Sequence, residues 1–107
     1  MNMHPLYYVK NFKEIKLLIT NHAKSRLLQR YRLKLFQYEK ERPELFIEKD
    51  IKQNGTIRSA DFMSPFEMNK LSSRHGRYAF NIYSDNITYH CLFRDNKIVI
   101  KTITINN

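Results

Sequence analysis

The last third of the chain carries the clearest hydrophobic pattern, three β-rich runs in which apolar and polar residues alternate. The runs cover residues 77–84, 87–94 and 97–105, and the pairs Asp85-Asn86 and Asp95-Asn96 separate them. Asp and Asn tolerate the left-handed backbone that two-residue hairpin loops need. The pattern therefore predicts a three-stranded antiparallel meander.

Two-residue loops also predict the register of the meander, and with it the two faces of the sheet. Paired residue numbers then sum to 171 across the first hairpin and to 191 across the second. On one face, Asn81, His90 and Lys101 form a polar row across the three strands. The other face collects mostly apolar side chains that suit packing against helices, namely Tyr78, Phe80, Ile82, Tyr89, Cys91, Phe93, Ile98, Ile100 and Thr102.

The first half of the chain shows helical spacing instead. From Ala23 to Leu35, apolar residues recur at intervals of three and four. Either Thr20 or Asn21 can accept a hydrogen bond from a free N–H of the first turn. We therefore expect a helix from about residue 22 to about residue 33.

Two further helices are predicted in the middle of the chain. One begins at Pro43, where a missing N–H costs nothing, turns Phe46, Ile47 and Ile51 inward, and ends before Gly55. A capping-box pattern at residues 64–67, Ser-Pro-Phe-Glu, predicts a short helix that continues to about residue 73.

These elements predict an α+β fold, with N-terminal helices packed on one face of the C-terminal antiparallel sheet. Residues 1–13 show no clear periodicity and could form an arm or add a fourth strand. A length of 107 residues fits one domain, which we assign to residues 1–107. Aromatic residues make up 13% of the chain, which a disordered basic tail would lack.

Composition narrows the classes of function. With two Gly and three Pro, the sequence has no glycine-rich phosphate loop and no dinucleotide fingerprint, so we expect no nucleotide cofactor. The four histidines are not at ligand spacing with a carboxylate, so we expect no metal. A single cysteine, Cys91, and the lack of a signal-peptide pattern favour a soluble, cytoplasmic protein.

The charge points to an anionic partner. The formal net charge is +9, and residues 10–34 hold eight basic residues and one acid, a local +7. Within this segment His22, Arg26 and Arg30 lie at i, i+4 and i+8, on one stripe of the predicted helix, with Lys24 beside them. Such a stripe can bind successive phosphates, and His22 could act as a base, although a solvent-exposed helix face has the same pattern.

The polar row on the sheet offers the groups that RNA cleavage without a metal requires. The reaction needs a base for the 2′-hydroxyl, a cation for the phosphorane and an acid for the leaving oxygen. His, Lys, Arg and Tyr side chains can fill these roles. We name His90, Lys101, Tyr83 and His22 as catalytic candidates, with Asn81 and the basic residues Arg77 and Arg94 as RNA contacts. The alternative is the ordinary solvent face of an antiparallel sheet. The scattered carboxylates Glu39, Glu41, Glu44, Glu48 and Asp50 fit helix-surface pairs better than an acid/base dyad.

Residues 20–30, Thr-Asn-His-Ala-Lys-Ser-Arg-Leu-Leu-Gln-Arg, resemble the T-x-H-A-x-x-R-x-x-x-R opening of small RelE-like domains. These domains belong to the barnase, EndoU, colicin and RelE group of metal-independent ribonucleases. The order of elements, helices followed by a sheet that ends in an Ile/Val/Thr-rich strand, is also similar to that group. The resemblance covers residues 19–33 and 77–105, and the long middle segment departs from it.

The resemblance implies that His22, Arg26 and Arg30 lie near an RNA groove. It places sheet residues at the cleavage site, drawn from Arg77, Tyr83, His90, Lys101 or Thr102. We therefore expect an RNA-binding endoribonuclease or toxin that acts on RNA, free or on the ribosome, with an antitoxin or other acidic protein as a second partner. The alternative is a non-catalytic inhibitor or regulator from a phage or mobile element that binds nucleic acid or an acidic protein surface.

Overall fold

The fold is α+β, with helices packed on one face of a four-stranded sheet. We describe residues 11–58 and 79–106 from a computed structural model of the chain. Arg77 and the predicted helix at residues 64–73 lie outside the described residues. The elements are β1 (Lys16–Ile19), α1 (Asn21–Tyr31), α2 (Gln37–Glu41), α3 (Pro43–Asn54), β2 (Ala79–Tyr83), β3 (Ile87–Arg94) and β4 (Lys97–Ile105).

Helix α1 confirms the first helical prediction. Thr20 is the N-cap, and its hydroxyl accepts a hydrogen bond from the backbone N–H of Ala23 at 3.1 Å. Ala23 and Leu27 are fully buried against the sheet. The helix ends at Tyr31, and a 3₁₀ turn at Arg32–Lys34 follows, so the α-helix is about two residues shorter than expected.

The charged stretch that follows forms a short helix, α2, that the sequence pattern did not reveal. Glu39 is only 4% exposed, and its carboxylate accepts the backbone N–H of Phe36 at 2.8 Å. The expectation that Glu39 belongs to a surface ion pair is therefore wrong. Helix α3 then begins at Pro43 and ends before Gly55, as predicted, with Ile47 and Ile51 buried.

The sheet has the strand order β1-β4-β3-β2, and β1 pairs with β4 in parallel. Residues 16–19 thus form a fourth strand. This strand follows residues 1–13, the segment that we expected to form an arm or a strand. This pairing runs from Lys16↔Lys97 to Ile19↔Ile100. No other described strand pairs with this edge of β4 beyond Ile100.

The predicted register of the first hairpin is confirmed from Ala79↔Leu92 to Tyr83↔Thr88. The predicted pairs of Arg77 with Arg94 and of Tyr78 with Phe93 lie outside the described residues. In the second hairpin the predicted register holds from the turn as far as Cys91↔Ile100. The turn residues Asp95 and Asn96 have φ values of 54° and 59°, the left-handed backbone expected there.

A β-bulge then shifts the second hairpin by one residue. Beyond it His90 pairs with Thr102 and Tyr89 pairs with Ile103, so that Lys101 is the extra residue. The predicted row of Asn81, His90 and Lys101 is therefore wrong in its third member. The shift puts Ile103 instead of Thr102 on the helix-facing side, where it is 1% exposed, so the apolar face is continued.

Thr20 holds the bulge against the start of α1. Its hydroxyl lies 2.9 Å from the carbonyl oxygen of Ile100 and 3.0 Å from that of Lys101. Its backbone N–H also donates to the Ile100 carbonyl at 3.2 Å. One side chain thus caps a helix and binds the two carbonyls at the bulge.

Replacement of Thr20 by valine should lower the free energy of unfolding by about 1–2 kcal/mol, because the cap and the bond to the bulge are lost together. Urea denaturation followed by circular dichroism measures the change. Thr20→Ser keeps the hydroxyl and should stay close to wild type. Equal stability of the valine variant and wild type would contradict the role of the hydroxyl.

The main core lies between the helices and the inner face of the sheet, and a second, smaller buried group, Ala79, Leu92 and Val99, lies on the outer face. Tyr89 is fully buried, and its hydroxyl donates to the Asp50 carboxylate of α3 at 2.6 Å. Burial, together with the adjacent carboxylate, raises the pKa of Tyr89. Asp50 therefore joins α3 to the sheet, which corrects its expected place in a surface pair. Burial also raises the pKa of the Cys91 thiol, which is 1% exposed and packs as a core residue.

Candidate nucleic-acid interface

A chain of polar side chains crosses the outer face of the sheet, opposite the helices. The Asn81 amide nitrogen donates to the Tyr83 hydroxyl at 3.2 Å. The Asn81 side-chain oxygen lies 2.9 Å from Nδ1 of His90, and Nε2 of His90 lies 2.7 Å from the Thr104 hydroxyl. The strand register explains this series of hydrogen bonds. Asn81 is directly opposite His90, and the bulge brings Thr104 to the position diagonal to His90.

These partners fix the tautomer of His90. The Asn81 oxygen can only accept, so Nδ1 of His90 carries a proton. In the neutral ring Nε2 is then the acceptor, and the Thr104 hydroxyl donates to it. The ring is thereby oriented with its basic nitrogen toward the C-terminal half of β4.

Arg58 joins this group from outside the sheet. Its guanidinium carbon lies 3.8 Å from the centre of the Tyr83 ring, within range of a cation–π interaction. A short bridge positions it, since the backbone groups of Thr56 and Tyr83 exchange hydrogen bonds of 2.7 and 2.8 Å. We call Arg58, Asn81, Tyr83, His90 and Thr104 the His90 network. Three of its members, Asn81, Tyr83 and His90, are predicted site residues.

Lys101 lies apart from the row in which it was predicted. Because it is the extra residue of the bulge, Thr102 takes the position opposite His90. Lys101 is exposed, and its carbonyl oxygen lies against the Thr20 hydroxyl at the start of α1. Its charge is therefore at the junction of β4 and α1, beside the predicted helix stripe.

The stripe of His22, Arg26 and Arg30 forms on α1 with the predicted spacing. Nε of Arg26 donates to Nε2 of His22 at 3.4 Å, so these two side chains lie together. Nη1 of Arg30 donates to the carbonyl of Ile103 at 3.4 Å. Arg30, at the C-terminal end of the stripe, therefore contacts the second half of β4, and the His90 network lies on the outer face of the same half of that strand.

The other predicted RNA contacts, Lys24 and Arg94, lie away from the His90 network. A backbone hydrogen bond is the main cause that holds the pKa of the Glu44 carboxylate below its usual range, and Arg42 and Lys24 lower it further. The Lys24 charge therefore acts toward α3. Arg94 pairs with Lys97 beside the β3–β4 turn, four residues and about 13 Å along the strand from His90.

Positive charge dominates the surface around the stripe. Residues 21–34 carry five cations and no carboxylate. Among the residues described, the single ion pair joins Arg42 and Glu44 at 3.2 Å. Apart from Lys24, whose charge acts on Glu44, the cations of α1 and of the turn after it have no carboxylate partner within this part of the chain.

Within residues 11–58 and 79–106, no three His, Cys, Asp or Glu side chains are grouped so that they could hold a metal ion. No helix in those two ranges combines the length and the apolar character that a membrane crossing requires. The chain matches no protein-family model, no curated protein and no solved structure.

Proposed function

We propose that the chain is a RelE-like, metal-independent endoribonuclease that acts on RNA in the cytoplasm. The observation that carries the proposal is the fixed His90 ring, held by Asn81 and Thr104 beside Tyr83 and Arg58. A base, a hydroxyl acid and a cation are the three groups that the reaction needs.

In the proposed reaction, Nε2 of His90 takes the proton of a ribose 2′-hydroxyl. The 2′-oxygen forms a bond to phosphorus, the bond from phosphorus to the 5′-oxygen breaks, and the Tyr83 hydroxyl gives that oxygen a proton. The Arg58 guanidinium stabilises the charge that develops on the phosphorane. The products are a 2′,3′-cyclic phosphate and a free 5′-hydroxyl. The Thr104 hydroxyl occupies the place at Nε2 that the substrate hydroxyl would take.

The helix stripe supplies the binding half of the proposal. Arg30 contacts the second half of β4 and Lys101 belongs to that strand, so an RNA backbone along it would pass close to the His90 network, with Arg26 one turn earlier on α1. His22 bonds to Arg26, which favours a binding role for it over a catalytic one. The Thr of the T-x-H pattern caps α1 and binds the bulge of β4.

One observation favours a second candidate, a binding protein without catalysis. Both ring nitrogens of His90 have partners within the chain, as in histidines that only organise a sheet surface. Such a protein would bind RNA or an acidic protein, for example an antitoxin, through the same cations.

Incubation of the purified protein with 5′-labelled single-stranded RNA in EDTA separates the two candidates. We expect shortened products that end in a 2′,3′-cyclic phosphate, and the same products from ribosome-bound mRNA if the enzyme acts there. A gel shift that weakens with salt and yields no product would support the binding protein. No shift and no product would contradict both RNA functions and favour an acidic protein partner.

A further inference from the structure

A basic cleft lies at the C-terminal end of α1, beyond the helix stripe. It has a volume of about 280 Å³ and lies between the end of α1 with its 3₁₀ turn and the residues that follow β2 and end β4. No carboxylate lines it. Its lining combines the cations Arg30, Arg32 and Lys34 and the amides Gln29, Asn86 and Asn106 with Tyr31, Leu33 and Ile105. Three cations around a space of this size favour an anionic ligand.

Helix capping alone does not account for these cations. Basic side chains near a helix C-terminus interact favourably with its last carbonyls, but the effect is confined to the last turn. Arg30 already donates to a carbonyl of β4, and Lys34 lies 5.7 Å from the centre of the Tyr31 ring. Arg32 and Lys34 are exposed and have no carboxylate partner among the described residues.

Two aromatic rings stand in the solvent next to the cleft. Phe36 is 66% exposed and Tyr38 is 50% exposed, and their rings are parallel within 6° with centroids 6.0 Å apart. The backbone of Phe36 is held by Glu39, so the ring is presented from a fixed position. Lys34 lines both the cleft and the shallow hollow beside Phe36, which shows that the two features adjoin.

The cleft also connects to the His90 network. The side chains of Asn106 and Thr88 exchange hydrogen bonds of 3.1 and 3.2 Å. Thr88 lies two residues before His90 on β3, about 7 Å along the strand. A single strand of RNA bound at His90 could therefore continue over Asn106 into the cleft.

We infer that this region is a second contact for single-stranded RNA, in which the cleft binds a backbone phosphate and the Phe36–Tyr38 pair stacks an unpaired base. The inference rests on the proposed RNA function and adds where the strand runs beyond the cleavage site. Aromatic faces beside cations are the usual means of binding unpaired nucleotides, since every base has a face to stack. A cleft with no carboxylate and with amide donors fits a phosphate better than an apolar protein side chain.

Fluorescence anisotropy of a labelled single-stranded RNA across a salt series tests both parts. Arg32→Gln/Lys34→Gln should weaken binding and reduce the slope of log K against log salt by about 0.7, which is the contribution of one phosphate contact to a single strand. Phe36→Ala should weaken binding about tenfold, because a stacked base is lost, and leave the slope unchanged. The control Lys16→Gln/Lys52→Gln removes the same charge from exposed residues of a mixed-charge hollow that also contains Glu14 and Glu48.

The outcomes separate this inference from the proposed function. Cleft-dependent and Phe36-dependent binding without cleavage would support the inference and contradict the nuclease. Cleavage by variants that bind RNA as well as the control does would overturn the inference alone, and the exposed rings would then belong to a protein contact. No RNA binding by the wild-type chain would overturn both. Circular dichroism should show every variant folded, since all five substituted side chains are exposed.

Discussion

Replacement of His90 by alanine should lower the rate of RNA cleavage in EDTA by about a hundredfold or more, which is the contribution expected of a positioned general base. The substitution removes the Nε2 acceptor and leaves the Asn81–Tyr83 hydrogen bond in place. Single-turnover rates with saturating protein report the chemical step without the contribution of binding. Because His90 lies on the outer face of the sheet, the core should be retained, and thermal unfolding checks this.

Two further variants distinguish a loss of catalysis from a loss of RNA binding. Arg26→Ala should reduce cleavage more than tenfold at sub-saturating protein, through weaker RNA binding. Thr104→Ala removes only the hydroxyl that a substrate would displace from Nε2, so most of the single-turnover rate should remain. Full activity in both the His90 and the Arg26 variants would end the assignment as a ribonuclease of this kind.

The second large effect concerns stability. Gly55→Ala should lower the free energy of unfolding by about 3 kcal/mol, at the upper end for an overpacked site. A Cβ at Gly55 would lie 2.5 Å from the carbonyl oxygen of Ile51 and 3.0 Å from Cγ2 of Ile82. The backbone of Gly55 has φ −72° and ψ 135°, which any residue can adopt, so lack of space is the reason for glycine here.

A double-mutant comparison tests the cause. Ile82→Ala removes Cγ2 and so relieves only the side-chain contact, whereas the Ile51 oxygen belongs to the backbone of α3. The further cost of Gly55→Ala, measured by urea denaturation, should therefore persist in the Ile82→Ala background. Gln53→Ala, on an exposed neighbouring position, should leave stability nearly unchanged. A Gly55→Ala variant as stable as wild type would show that α3 can move away from the added Cβ. The lower conformational entropy of the unfolded chain would then offset the cost of crowding.

Local patterns were enough to predict most of the fold. The spacing from Ala23 to Leu27, the cap at Thr20 and the proline at residue 43 depend on neighbours within a few residues, and both helices formed accordingly. The first hairpin register also followed from its loop length alone. The buried Glu39 could not be predicted from composition, because its burial depends on a bond to the Phe36 backbone in a helix of five residues.

Only the part of the candidate site that lies within the β2–β3 hairpin could be predicted from the sequence. Asn81 and His90 were placed together correctly, because one short turn connects their strands. Thr104 was missed because the bulge depends on Thr20, which is eighty residues earlier in the sequence. Arg58 was missed for the same reason, since its position over Tyr83 follows from a bridge between distant segments.

The bulge at Lys101 also makes the length of β4 more important than the chemistry of its residues. Deletion of one residue between Ile100 and Ile103 would remove the bulge and allow unbroken pairing of β3 with β4. The carbonyl groups that Thr20 binds at the start of α1 would then be displaced. Substitutions at position 101 leave the count unchanged, so the fold should accept many side chains there, and only RNA binding would favour a lysine. In natural variants of this chain, insertions and deletions should accordingly avoid the stretch from Ile100 to Thr104.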